Sequence, residues 1–305
     1  MSDPQPAEME IQPAAASRQA AALDLVFSDL SPSVRASQVA GLLGAERSGK
    51  LSLGGLLEAR REGRLVGAIW AQVQAGGGAG VWPPRIVEGE SESTADALLR
   101  EAIAKLQRSD VNIAQALLPL DADDDRRRLT AAGFQHLADL DYLISLGRSF
   151  PTTPPQGLKF ESVTTAGEAR LAQVVEQTYQ GTLDCPQLNG VRRIDEVLQE
   201  YRAVGVYDPA RWFVVQHNGA DVGCLILADH PEVPQWELVY MGIVPEARGR
   251  GYGQLIVRHA QWLAGQAGRD RLALAVDSRN APAMNVYTSA GFVAWEHRRA
   301  LLRMF

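Results

Sequence analysis

The sequence predicts an α/β chain of two tandem domains, each a mixed, mostly antiparallel sheet flanked by helices. Three observations carry this. First, the chain nearly repeats itself: TAAGF (130–134) returns as TSAGF (288–292) at an offset of 158, and GRLVGA (63–68) as GADVGC (219–224) at an offset of 156. Matched short segments at nearly one spacing mark an internal duplication. Second, around both pairs the hydrophobic period switches in the same order: strand, strand, strand, helix, strand, helix, strand. Third, 305 residues with 46% hydrophobic and 22% charged side chains are average for soluble globular protein and long enough for two cores.

The second half is the more legible. Residues 166–179 read as a helix, with Leu171, Val174, Val175 and Thr178 at helical spacing, and 191–201 as another. Strands 212–215 and 222–228 flank Asn218-Gly219, a strong hairpin signal. Strand 236–244 stops at Pro245. Helix 251–268 carries Ile256, Ala260, Leu263 and Ala267 on one stripe. Strand 272–276 follows, then helix 280–290, closed by Gly291 at the expected C-cap position. Segments 292–295 and 300–304 read as closing strands. Residues 1–20 are Pro-, Ala- and Gln-rich without period and read as a disordered tail. GRSFPTTPPQG (147–157) reads as a linker, because proline fixes φ and removes donors. The expected domains are therefore 21–146 and 158–305.

Several classes drop out. No run of about 18 apolar residues offers a membrane span. The acidic, Pro-rich N-terminus lacks the pattern of a signal peptide. Cys185 and Cys224 are too few to staple a chain this long and read as structural, so a cytoplasmic location is expected. A net charge of −6 argues against a basic nucleic-acid face. The five histidines show no metal-ligand spacing, so no metal is expected. Asp121–Asp125 reads as an acidic helix start beside Arg126–Arg128.

The segment that carries chemistry is VPEARGRGYG (244–253). A buried strand ends, a short loop follows, and Gly251, Tyr252 and Gly253 open a helix. Glycine lets backbone N–H groups approach a ligand, and a helix start leaves N–H groups unpaired beside the positive dipole end. The combination suits a pyrophosphate, with Arg248 and Arg250 as added cations. No Lys-Ser/Thr follows, so it is not a P-loop. The dinucleotide fingerprint fails for want of a third glycine.

This loop resembles the acyl-CoA pyrophosphate loop of the GNAT superfamily of N-acetyltransferases, whose Arg/Gln-x-x-Gly-x-Gly/Ala pattern reads here Arg248-Gly249-Arg250-Gly251-Tyr252-Gly253. A second family pattern appears downstream as Asn280, Ala283, Tyr287, Gly291 and Phe292. The resemblance covers 158–305 well and 20–146 weakly. It implies a sheet whose parallel strands 237–244 and 272–276 splay apart to admit acetyl-CoA. Met241, Gly242 and Ile243 would hold the pantetheine arm, the Arg248–Gly253 loop the pyrophosphate, and Asn280, Ala283 and Tyr287 would line the site.

The resemblance also implies direct attack by an amine of a small-molecule or peptide acceptor. Glu237 is the candidate base. By strict alternation it shares a strand face with Val239, Met241 and Ile243, where a carboxylate needs a role or a partner. A salt-bridged edge residue, or one re-aimed by a β-bulge, is the other reading. Tyr287 is the candidate acid, or a core tyrosine that only orients CoA. Asn280 is expected to cap its helix. Tyr179, Asp184, Trp236 and Tyr240 are candidates for the acceptor pocket.

The duplication tests the first domain. At offsets of 156–158, Arg248 falls on residues 90–92, Gly251 on 93–95, Gly253 on 95–97, Glu237 on 79–81 and Tyr287 on 129–131. Every alignment loses the loop, the acid and the base, and Glu88, Glu90 and Glu92 would repel phosphate. The expectation is one working domain, the second. Such a layout resembles that of mycothiol synthases, which acetylate a cysteinyl amine. The alternative is an acyl-CoA-binding sensor or interaction module without catalysis.

Overall fold

A computed structural model describes residues 9–305. The first eight residues of the expected tail lie outside the described residues. The rest of that tail is structured: Met9–Pro13 forms β1, pairing antiparallel with β2 (Leu56–Arg61), and Met9 and Ile11 pack on the core. The described residues divide into two compact units, 9–136 with 300–305, and 137–299.

In the first unit, helices α1 (Gln19–Val26) and α2 (Pro32–Arg47) precede β2 and β3 (Arg64–Val73). Glu62 (φ 51°) and Gly63 (φ 76°) make the β2–β3 turn, and two positive φ values match the twist of a hairpin. Then come β4 (Gly78–Ile86), α3 (Glu92–Gln107), β5 (Ile113–Leu118) and α4 (Asp123–Ala131). Strands run in the order β1-β2-β3-β4-β5. Only the last pair is parallel, over Gly78–Gly80 and 113–115. Leu98, Leu99, Ala102, Ile103 and Leu106 give α3 one apolar face against this sheet. The acidic run opens α4, where Asp123–Asp125 suit the positive helix end and Asp125 takes two 2.9 Å hydrogen bonds from Arg85.

The second unit contains most of β6 (Gln135–Leu146), then β7 (Lys159–Ser162), α5 (Val163–Ala166), α6 (Glu168–Thr178), α7 (Ile194–Ala203), β8 (Trp212–His217), β9 (Ala220–His230) and β10 (Gln235–Ile243). It continues with α8 (Tyr252–Gln266), β11 (Arg271–Asp277), α9 (Ala281–Ser289) and β12 (Val293–Met304), the last up to Arg299. Strand order is β6-β11-β10-β9-β8-β7. Asn218 (φ 50°) and Gly219 (φ 79°) turn the β8–β9 hairpin as expected. The expected helix 166–179 is α6, which begins after Gly167 at φ 83°, and the short α5 before it takes in Ala166. The two expected closing strands are one, β12.

The expected boundary at 147–157 moves to 136/137. The cause is β6, which pairs with β11 from Leu140↔Asp277 to Leu146↔Arg271 and so belongs with the second unit. The segment read as a linker continues that attachment: Gly147 N–H donates to Asp270 at 2.7 Å, Ser149 accepts from Arg258, and Phe150 packs on the core. Conversely, Ala300–Phe305 joins the first unit, where Leu301 is core and Phe305 N–H donates to Asn112 at 2.9 Å.

Candidate active site

In the second unit, β10 and β11 pair in parallel only at Trp236↔Leu272 and Glu237↔Ala273. Beyond that point they separate. A cavity of about 560 Å³ opens between Val239–Ile243 on one side and Ala275–Val276 on the other, and extends to the start of α8 and to α9. Its walls bring together every residue expected to hold acetyl-CoA except Arg250: Met241, Gly242, Ile243, Arg248, Gly249, Gly251, Tyr252, Gly253, Asn280, Ala283 and Tyr287.

The loop geometry explains its glycines. Gly249 (φ 75°) and Gly251 (φ 79°) adopt left-handed backbone, which side chains resist, and Gly251 is the N-cap of α8. A Cβ on Gly253 would lie 3.4 Å from Val286 and 3.5 Å from Ile243, so this turn packs directly on the cavity wall. The first N–H groups of α8 have no intrahelical acceptors, and this end of the helix carries the positive dipole. Gly249, Gly251, Tyr252 and Gly253 therefore form a cradle fitting a pyrophosphate.

Neither arginine is aimed as the sequence suggested. Arg248 donates from Nε to Ile243 O at 3.1 Å, from Nη1 to Gly181 O at 3.1 Å and from Nη2 to Thr178 O at 2.9 Å. It ties the end of β10 to the end of α6 and the loop beyond, and its charge suits that helix C-terminus. Arg250 donates to Glu246 O at 2.9 Å and stands outside the cavity wall.

Glu237 is also displaced from its expected face. The β10–β9 register shifts between Leu238 and Tyr240, a bulge at Val239. One extra residue reverses the alternation after it, so Glu237 shares a face with Tyr240 and Gly242. That face looks toward α6: Tyr240 Oη lies 2.7 Å from Thr178 Oγ1, and a Cβ on Gly242 would fall 2.5 Å from Thr178 Cβ. Met241 and Ile243 turn instead toward Gly253 on α8. Glu237 does not line the cavity. Its Oε2 meets His230 Nε2 at 2.9 Å, and this hydrogen bond raises the His230 pKa against the opposing effect of burial. Its register partner Ala273 lies one pleat from Ala275 on the cavity wall.

Tyr287 is 6% exposed and lines the cavity. Burial, with a further contribution from the Asp184 charge, pushes its pKa above the ordinary tyrosine value. Its hydroxyl is therefore protonated at neutral pH. Asn280 caps α9, its Oδ1 accepting from Ala283 N–H at 3.3 Å. Of the acceptor-pocket candidates, Asp184 and Tyr240 line the cavity. Tyr179 lines a smaller neighbouring cavity, its Oη 2.9 Å from Tyr201 Oη. Trp236 is buried away from both. Sequence reasoning missed Thr178, Gly181 and Thr182, which reach the cavity only because α6 and its following loop fold over β10. Burial holds the thiols of Cys224 and Cys185 up at about 12, consistent with structural roles.

The corresponding turn of the first unit is built differently. Glu90, just ahead of α3, takes hydrogen bonds from Thr94 Oγ1 at 2.7 Å and Arg61 Nη2 at 3.0 Å, which hold its carboxyl below the ordinary value. Ser91 Oγ caps the helix by accepting from Ser93 N–H at 3.3 Å. A built-in carboxylate and a side-chain cap thus stand where the second unit has bare glycines. Among the described residues, no helix is long and apolar enough to cross a membrane, and no cluster of His, Cys, Asp or Glu could hold a metal.

Residues 176–292 match the acetyltransferase (GNAT) family model. The mycothiol acetyltransferase of Thermobispora bispora is 33% identical over an alignment covering 29% of this chain and 32% of that one. The alignments to such curated relatives span about a third of their length. Among solved structures, a GCN5-related N-acetyltransferase from Sphaerobacter thermophilus has a TM-score of 0.67 at 13% identity, covering 97% of this chain and 95% of that one. A tandem GNAT protein from the clavulanic acid biosynthesis pathway has a TM-score of 0.55 at 14% identity, covering 97% and 98%. At these identities the structural likeness establishes the fold.

Proposed function

We propose that this chain, whose residues 176–292 match the GNAT acetyltransferase family, moves an acetyl group from acetyl-CoA to an amine, with the second unit as the working one. The observation that carries this reading is the cavity between the parting strands β10 and β11, with a bare helix start at one end and a protonated Tyr287 on its wall. Acetyl-CoA supplies the acetyl thioester. The N–H groups from Gly249 to Gly253 receive the pyrophosphate, and the edge of Met241–Ile243 that β11 leaves without a partner strand orients the pantetheine arm. Asn280 and Ala283 close the far side. Tyr287 Oη holds the proton needed by the leaving sulfur. Glu237, one pleat from the wall, accepts the proton of the incoming ammonium through a water, and His230 holds its carboxylate in place.

The name of the aligned relatives makes an acceptor of the mycothiol kind the first to try. The test is thiol release from acetyl-CoA with a panel of small-molecule and peptide amines. Release that depends on the amine is expected. Acetyl-CoA binding with no amine-dependent release would favour a sensor or interaction module, a reading supported by the position of Glu237 outside the cavity wall.

A further inference from the structure

We infer that Asp184 makes this site select a cationic amine, its free carboxylate oxygen receiving the acceptor's ammonium on the cavity wall. The inference rests on the acetyl-transfer reading and names what that site accepts. Among the described residues, only two charged side chains line the cavity, Asp184 and Arg248. Arg248 directs three of its five N–H donors, one from each nitrogen, to backbone carbonyls. Asp184 is thus the one acid on the wall among the described residues.

The carboxylate is held and incomplete at once. Asp184 Oδ1 accepts from the Asp277 backbone N–H at 3.0 Å, fixing the loop after α6 to the end of β11. Thr182 Oγ1 accepts from the Asp184 N–H at 3.1 Å. No donor within the described residues reaches Oδ2. The groups that face Asp184 offer no counter-charge. Tyr240 on β10 and Tyr287 on α9 are neutral, and the charge of Asp184 contributes to raising both their pKa values. The neighbouring Cys185 thiol stays protonated. Asp277 is itself an acid, and Arg279 is engaged with it. Burial, and then the charge of Asp277, raise the Asp184 pKa, while the hydrogen bond from Asp277 N–H lowers it.

A shielded carboxylate without a cation is costly, and an arriving ammonium relieves that cost. A neutral isostere leaves the carboxylate unpaired, so the same cost becomes discrimination. Asp184 therefore differs from Glu237 in its task. Asp184 holds the ammonium, whereas Glu237, already paired with His230, takes its proton.

The test uses the full chain saturated with CoA, with methylammonium chloride as probe and potassium chloride at equal ionic strength as control. The Asp277 amide, followed by NMR, reports on the carboxylate. In the unsubstituted protein and in Glu237→Gln, its resonance should shift saturably with methylammonium and not with potassium. Asp184→Asn keeps the Oδ1 acceptor and should lose the response, with the acetyl-CoA Kd unchanged within about threefold. As a second arm needing no variant, the Asp184 13Cγ titration midpoint should fall in proportion to log(1 + [L]/Kd), about one pH unit at ten times Kd. An equal response in Asp184→Asn, no response in the unsubstituted protein, or a large loss of acetyl-CoA affinity in Asp184→Asn would overturn the assignment. A methylammonium response without any amine-dependent thiol release sinks the transfer reading and keeps this one. Turnover without the response does the reverse.

Discussion

Arg248 Nη2 donates to the carbonyl of Thr178, the last residue of α6, at 2.9 Å. The residue that opens the glycine loop therefore also closes the helix whose end lines the same cavity. Hydrogen bonds from a charged donor contribute about 1.5–3 kcal/mol each. A lysine cannot span the three carbonyls that the planar guanidinium reaches. Arg248→Lys should raise the KM of the amine by about tenfold as the loop around Gly181 loosens. The acetyl-CoA Kd should change by less than about threefold, because backbone N–H groups do the anchoring. Isothermal calorimetry and steady-state kinetics separate the two. A large loss of acetyl-CoA affinity at constant amine KM would make Arg248 a phosphate ligand.

Glu237→Gln should lower kcat by about 10²-fold at neutral pH and leave acetyl-CoA binding intact. Activity should recover partly at high pH, where the free amine needs no base. The partner His230 gives a further sign. Its pKa is raised in the folded chain, so the stability from its pairing is full below the unfolded value and is lost as pH rises through the folded one. Glu237→Gln should flatten that alkaline decline in denaturant midpoint. An unchanged pH–rate profile removes Glu237 from the mechanism.

Tyr287→Phe keeps the ring that packs at 5.6 Å from Phe292 and deletes one hydroxyl. A proton-donating role predicts a fall in kcat of about 10- to 10²-fold with little change in the acetyl-CoA KM. A change in KM alone would mean that Tyr287 positions the cosubstrate and donates nothing.

The legible parts of this molecule were those set by local pattern. The duplication, the β8–β9 hairpin at Asn218-Gly219, the glycine loop and the Asn280 cap each depend on residues close in sequence. What escaped depends on distant partners or on one inserted residue. The motif around Arg248 fixes the loop but not the direction of its guanidinium, because two of its acceptors sit on α6 and the loop after it. Alternation places Glu237 beside Met241 only on a regular strand, and the bulge at Val239 moves it beside Tyr240. Proline content marked 147–157 as a linker, whereas the pairing of β6 with β11 draws that segment into the second unit.

His259 on α8 is 9% exposed, its ring stacked on Phe160 at 3.6 Å, and Nδ1 has no partner among the described residues. Burial depresses its pKa to about 4 from an ordinary 6.5. The unfolded chain binds this proton more tightly, so stability falls as pH drops from 6.5 toward 4. The full effect is about 3 kcal/mol, at about 1.4 per pH unit. His259→Phe should abolish that part of the acid decline in urea midpoint. Parallel declines in the two proteins would show that His259 is accessible to protons in the fold.

The chain is expected to hold one acetyl-CoA, at the bare start of α8. The first unit meets its own helix start with Glu90 and Ser91, which compete with a phosphate through charge and hydrogen bonding. Gly251, at φ 79°, admits no side chain without backbone strain, and a glutamate there would add repulsion. Calorimetry of acetyl-CoA with the full chain tests this most directly. The predicted result is a stoichiometry of one per chain, with binding abolished in Gly251→Glu. Two equivalent sites per chain, or binding that survives Gly251→Glu, would contradict it.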